Sequence, residues 1–227
     1  MSELTLITHV YNGQAMLDEQ LARWRGYAPE LRARLEFLVI DDFSDTPLKA
    51  PAQGLNLRLL RVTDDIAWNM PGCRNLAAIQ ARSDWMLYFD VDQFTAESNI
   101  RMMVDALPRM NPQRLYVFRR IVDGVDAEPH INTFLISRQG FFRAGGYDED
   151  FSGHYGFEDV VFRNMWRRYV GDEVLLTNIA FDQGGRPTTG LNRDTVRNQA
   201  LAQYKMALGF PKPRGCVRFQ WDEVAAE

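Results

Sequence analysis

The sequence predicts an α/β fold: a largely parallel central sheet with helices on both faces. Three observations carry this. Short, continuously apolar runs rich in β-formers alternate with segments of helical spacing, as strands buried on both faces require. Two of those runs stop abruptly at carboxylates. The chain has 227 residues, 46% of them hydrophobic, enough for one core, and no low-complexity linker or internal repeat interrupts it.

The elements follow in order. Residues 4–10 and 35–40 read as buried strands, the second ending at Asp41-Asp42. Between them, residues 15–27 place Met16, Leu17, Leu21 and Trp24 at helical spacing, and Pro29 stops the helix. Residues 57–62 supply a third strand. Asn69 stands where it caps a helix running to Ala81, with Pro71 in the first turn. Residues 85–89 form a fourth strand that runs into Asp90-Val91-Asp92. Ligands of such sheets bind beyond the carboxyl ends of the strands, where both acidic clusters fall.

The second half changes character. Residues 115–122 and 131–137 read as longer strands, and residues 141–156 are rich in glycine and aromatics. A helix over 158–169 carries Phe162, Met165, Trp166 and Tyr169 on one face. Another over 194–208 carries Val196, Ala200, Leu201, Tyr204 and Leu208. The shift near residues 111–113 marks a change of role within one domain, 1–227.

Composition excludes some functions. The 26 basic and 30 acidic residues leave a net charge of −4 without a long run of either sign, which argues against nonspecific nucleic-acid binding. Cys73 and Cys216 form no metal-type or redox-type pair; a reduced compartment is the simpler expectation, with a disulfide left open. No basic leader with an apolar core opens the chain, and no stretch approaches the ~20 apolar residues of a membrane span. A cytoplasmic protein is expected, at most peripheral to a membrane.

Asp90 and Asp92, one residue apart at a strand end, put two carboxylates on one side of an extended backbone. Such a pair suits a hard divalent cation and a ribose hydroxyl, and a solvated acidic turn is the other reading. The surroundings add to it: Tyr11-Asn12 after the first strand, Asp41-Asp42-Phe43-Ser44-Asp45 after the second, and Gly72-Cys73-Arg74-Asn75 at the helix start. In this order the chain resembles the inverting glycosyltransferase family 2 group, whose GT-A fold is Rossmann-like. The resemblance covers residues 1–95 and then resumes.

That resemblance implies roles. Tyr11 stacks on a nucleotide base, and Asp41 or Asp42 accepts a hydrogen bond from a uracil-like N–H. Arg74, in the first turn of its helix, clamps a diphosphate beside the exposed N–H groups. Asp90 touches the ribose, and Asp92 ligates Mn²⁺ or Mg²⁺, which neutralises the departing diphosphate of a UDP-sugar donor. On this reading residues 1–110 bind the nucleotide sugar and residues 111–227 the acceptor.

Residues 132–138, 145–151 and 153–159 resemble the acceptor half of family 2 enzymes and the C-terminal region of β-1,4-galactosyltransferases. The resemblance makes Asp159 the catalytic base and Glu158 a contact to the acceptor or a sugar hydroxyl. A carboxylate at a helix N-terminus is held ionised and oriented, although capping alone explains both residues structurally. Gly145-Gly146, Gly153 and Gly156 permit close turns, and Tyr147, Tyr155 and Phe157 offer ring faces to a sugar, with Phe157 the most core-like.

The chain departs from the family in one respect. Many relatives carry a late histidine on the metal, but His9, His130 and His154 are the only histidines and none follows Asp159. Asp182 is then the candidate third ligand, unless Asp92, diphosphate and water suffice. Residues 183–190 form either a closing loop or a plain connector. His154 is left outside the catalytic set. The acceptor is a glycan or another hydroxyl-bearing molecule, and the donor sugar stays open with a mild lean to the galactose series. The rival readings are a nucleotidyltransferase, which usually carries a glycine-rich basic loop where this chain has Tyr11-Asn12-Gly13-Gln14, and an inactive nucleotide-sugar-binding module.

Overall fold

The computed structural model describes residues 2–185 and 192–225. The four apolar runs of the first half are strands β1 (Leu4–Val10), β2 (Leu35–Asp41), β3 (Leu57–Val62) and β4 (Trp85–Tyr88). They pair in parallel in the order β3-β2-β1-β4. Alternation of side chains divides them between two cores. Leu4, Leu6, Phe37 and Val39 face helix α1 (Gln14–Gly26), which contributes Leu17, Leu21 and Trp24. Ile7, Leu38 and Ile40 face helix α3 (Met70–Gln80), which contributes Cys73, Leu76 and Ala77. Between α1 and β2 lies the one-turn helix α2 (Pro29–Arg32).

One ten-stranded sheet continues through the second half, in the order β10-β3-β2-β1-β4-β8-β6-β9-β5 with β7 beside β6. Its later members are β5 (Gln93–Phe94), β6 (Leu115–Val122), β7 (Val125–Ala127), β8 (Phe134–Ser137), β9 (Glu173–Gln183) and β10 (Trp221–Val224). The parallel character belongs to the first four strands; beyond them β8 runs antiparallel to β4 and β6, while β9 runs parallel to β6. The β6–β7 hairpin turns on Asp123 and Gly124, both at positive φ (50° and 78°), which matches the twist of the paired strands. Strand β8 starts three residues later than expected because Thr133 N–H bonds His130 O and closes a turn.

The remaining helices are α4 (Glu97–Ala106), α5 (Arg138–Ala144), α6 (Glu158–Tyr169) and α7 (Val196–Ala207). Helix α6 has the expected bounds and buries Phe162, Met165 and Trp166. In α7 only Asn198 is buried, so much of the stripe expected to pack stands in solvent instead. Helix α3 begins where expected, but Asn69 does not cap it; its Oδ1 accepts a hydrogen bond from Ser152 Oγ at 3.0 Å. Helix α4, helix α5 and strand β10 were not anticipated. Both cysteines are free, Cys73 buried and Cys216 exposed. Among the described residues no helix is long and apolar enough to cross a membrane.

Candidate functional site

The turns after β1 and β2 are laced together. Asn12, at φ 49°, donates from its backbone to Ser44 Oγ (2.9 Å) and from Nδ2 to Asp45 (3.0 Å), and accepts the Asp45 N–H on Oδ1 (2.9 Å). Asp41 is consumed by this architecture. One oxygen accepts Ser44 N–H at 2.9 Å; the other accepts Leu48 N–H at 3.1 Å and pairs with Arg61. Of the two carboxylates expected to read a base, Asp41 is therefore a buried tie.

Asp42 is the opposite case. Its Oδ1 is buried without a protein partner. Burial pushes its carboxyl up to about 7, against a hydrogen bond from the Cys73 thiol, and the charges of Asp41 and Asp65 push the same way. Burial and Asp42 in turn push the Cys73 thiol up. Tyr11 lies within electrostatic reach of Asp42 and is 38% exposed; burial, then Asp45 and Asp65, raise its phenol.

The second acidic cluster differs from its expected shape. Gln93 N–H bonds Asp90 O at 2.9 Å, so Val91 and Asp92 occupy a turn and the two carboxylates do not lie along an extended strand. Asp92 O accepts Gly184 N–H at 2.8 Å, at the edge of a pocket of about 250 Å³ between α1 and the residues after β9. Asp182 is exposed on β9, opposite Phe94 of β5. Among the described residues no three carboxylates, histidines or cysteines gather as metal ligands, so Asp182 is not brought into one set with Asp90 and Asp92.

Arg74 does not lie open on its helix as an anion clamp. Its guanidinium is buried, with Nη1 donating to Tyr147 Oη at 2.7 Å and Nη2 to Asp90 Oδ1 at 3.2 Å and Asn132 O at 3.3 Å. The Tyr147 ring lies 5.3 Å from its carbon centre. Burial works against its charge, but Tyr147 and Asp90 outweigh it and keep Arg74 more firmly protonated than a free arginine. The other Asp90 oxygen faces His130 Nδ1 at 3.8 Å. Burial lowers the His130 pKa despite Asp90, with Arg120 and Arg74 adding to the shift, and Nδ1 accepts Asn132 N–H at 3.3 Å, as a neutral ring does.

The start of α6 supplies the third group of carboxylates. Burial pushes Glu158 up to about 7, and the charge of Asp159 adds to it; Glu158 Oε2 is buried without a partner. Asp159 is raised as well, first by burial and also by Asp90, while its bond to Val160 N–H (2.6 Å), Arg74 and Arg163 hold it down. Both residues thus lie within electrostatic reach of Asp90 and Arg74. The bridge is Tyr147, which takes the Arg74 hydrogen bond and stacks on Phe162 of α6 at 4.2 Å and 8°. Tyr147 is fully buried, so it offers no face to a sugar; Phe157, expected in the core, is only half-buried.

The loop before α6 is held from afar. Asn198 Nδ2, fully buried, donates to the carbonyls of Phe151 (3.1 Å), His154 (2.9 Å) and Gly156 (2.9 Å). Gly156 sits at φ +91°, and a Cβ there would press on Thr195 Cγ2 at 3.3 Å. Glu149 accepts Asn75 Nδ2 (2.7 Å) and the backbone N–H groups of Val217 (2.6 Å) and Arg218 (2.9 Å). At the rim, Tyr155 packs on Trp68 with ring centres 4.6 Å apart. His154 is exposed. Residues 186–190 of the expected loop lie outside the described residues. His130, Trp68 and Asn198 carry no motif spacing, and only the fold brings them to this cleft.

Comparison with known proteins identifies the family and the fold. The family model described as glycosyl transferase family 2 matches residues 5–172. No curated protein matches the chain. Among solved structures, S. aureus TarS 1-349 in complex with UDP-GlcNAc superposes with a TM-score of 0.70 at 12% identity, covering 91% of this chain and 66% of that one. GalNAc-T7 with UDP, GalNAc and Mn²⁺ gives 0.65 at 15% identity, covering 83% and 45%. Mannosyltransferase PcManGT from Pyrobaculum calidifontis, in complex with GDP-Man and Mn²⁺, gives 0.60 at 16%, covering 83% and 58%. The fold is thus shared with GT-A glycosyltransferases, and the chain spans less than two thirds of the length of each.

Proposed function

Since the chain belongs to glycosyl transferase family 2, we propose that it moves a sugar from a nucleotide donor, UDP-linked, to an acceptor hydroxyl with inversion in a single in-line step. The observation that carries the reading is the shared field at the centre of the cleft. Asp90, from the first half, and Glu158 and Asp159, from the second, sense one another's charge, and the buried Arg74 acts on all three.

Each group has a task. Tyr11 and Asp42 read the base, and Asp42, with one oxygen unpartnered, retains the capacity to do so. Asp90 accepts from the ribose while Arg74 fixes its orientation. Asp159 takes the proton of the attacking hydroxyl; its raised affinity for a proton makes it a stronger base than a surface aspartate. Glu158, pushed up to about 7, holds a proton through much of the mildly acidic range and can donate a hydrogen bond to the acceptor or the sugar.

The donor set fits a divalent cation of the kind that keeps its waters. Asp92 would be the principal ligand, with Asp90 beside it in the same turn. A Mn²⁺ or Mg²⁺ held there would supply positive charge against the departing diphosphate. The nucleotidyltransferase reading is weaker, because the loop after β1 carries no basic side chain for a triphosphate.

Asp159→Asn tests the assignment. Transfer, measured with UDP-sugars and Mn²⁺, should fall by about 10²–10⁴-fold, the usual contribution of a general base, while the donor-induced thermal shift persists. Transfer within a few-fold of the parent would remove Asp159 from this role.

A further inference from the structure

We propose that the exposed face of α7, with the basic turn that follows it, docks on an anionic lipid bilayer. The inference is independent of the transfer chemistry. Of the five most exposed large apolar side chains among the described residues, four belong to this element: Val196 at 70%, Tyr204 at 60%, Met206 at 59% and Leu208 at 54%. Tyr204 and Leu208, one helical turn apart, share a side, whereas Met206, two residues from each, points away from them, so this pair defines the candidate face on a helix that buries only Asn198.

The chain then folds the cations onto this face. Gly209 and Phe210, at φ 71° and 53°, reverse the backbone, with Gly209 N–H bonding Met206 O (2.8 Å) and Phe210 N–H bonding Lys205 O (2.7 Å). Phe210 O is pinned by Tyr169 Oη at 2.9 Å. As a result Tyr204 and Leu208 line one depression, about 450 Å³, together with Lys205, Lys212, Arg214 and Arg218. Two of the four cations are already paired: Lys205 with Asp148 (2.7 Å) and Asp150 (2.8 Å), and Arg218 with Asp150 (2.9 Å). Lys212 lies over the Tyr169 ring at 4.9 Å, and both it and Arg214 are exposed and have no carboxylate partner among the described residues.

An exposed tyrosine and aliphatic side chains beside two unpaired cations match a bilayer interface, where the ring and chains enter the headgroup boundary and the cations meet lipid phosphate. The positive excess is local, since the whole chain carries −4. A partner of neutral or cationic surface would gain nothing from Lys212 and Arg214.

The test is sedimentation with vesicles at low salt, one set of phosphatidylcholine alone and one of equal parts phosphatidylcholine and phosphatidylglycerol. The protein should pellet with the anionic set only, and less as salt rises. Lys212→Glu with Arg214→Glu should weaken binding about tenfold or more, and Tyr204→Ser with Leu208→Ser about tenfold. All four residues are exposed, so thermal unfolding should be unchanged in both variants. The proposal is overturned if the parent stays in solution with anionic vesicles or if both variants sediment as it does. It is equally overturned if light scattering shows a dimer that Tyr204→Ser with Leu208→Ser dissolves, which would assign the face to a second copy.

Discussion

The end of β2 and the start of α6 each present two adjacent acidic residues, Asp41-Asp42 and Glu158-Asp159, yet they are built differently. The first is tied mainly by its near neighbours: Asp41 is satisfied by Ser44, Leu48 and Arg61. The second is held by distant ones: Asn198 gathers the carbonyls of residues 151, 154 and 156, and Glu149 captures the backbone at 217 and 218. Where the loop satisfies a carboxylate, that residue is structural. Where burial leaves one under-compensated, as at Asp42, Glu158 and Asp159, the proton affinity rises and the group becomes available for chemistry.

The largest expected effect comes from breaking the compensated turn. Asp41→Ala leaves Arg61 with the Ser44 carbonyl but no carboxylate, and two amides without an acceptor, and should cost about 3–5 kcal/mol in urea denaturation, as loss of one member of a buried pair does. A loss below about 1 kcal/mol would mean the turn is held by something else. Next is the distant latch. Asn198→Ala removes four hydrogen bonds, three of them to the loop before α6, and should cost about 2 kcal/mol, lowering transfer while leaving the donor-induced thermal shift in place. Equal losses of both readouts would erase the distinction between the two regions.

A third effect is pH dependence. The folded chain holds protons on Asp42 and Glu158 up to about 7, well above their ordinary values of 3.8 and 4.5, so between those limits it binds more protons than the unfolded chain. Their contribution to stability is therefore fully present in acid and is lost as pH rises through about 7. Melting temperature followed from pH 5 to 8 should reflect this decline, and Asp42→Asn with Glu158→Gln should flatten it. An unchanged slope in the double variant would place the shift elsewhere.

The same contrast explains what the amino-acid sequence disclosed. The four parallel strands were legible because each is apolar along its length, and α6 because Phe162, Met165 and Trp166 recur at helical spacing. The locations of Asp42, Asp90 and Glu158 followed from their places at element ends. What stayed hidden depended on contacts far along the chain. Strand β10 was invisible because four residues of mixed polarity become a strand only by adding to the edge of β3. Arg74 reads as a diphosphate clamp at a helix start, and the rings of Tyr88, Phe134 and Tyr147 around its guanidinium make it interior instead. His130 was discounted because it precedes Asp159 in the chain, an order that the antiparallel β8 makes irrelevant.

The guanidinium of Arg74 also couples Asp90 to the carboxylates at the start of α6. It lowers the proton affinity of Glu158 and Asp159, and Asp90 raises it. Any molecule that withdraws negative charge from Asp90 therefore strips away a repulsion felt by Asp159 and releases Arg74 to act on α6. By reciprocity, the proton on Asp159 and the occupant of Asp90 disfavour or favour one another by equal amounts. The charge at Asp90 and the proton on Asp159 are thereby coupled through one buried cation.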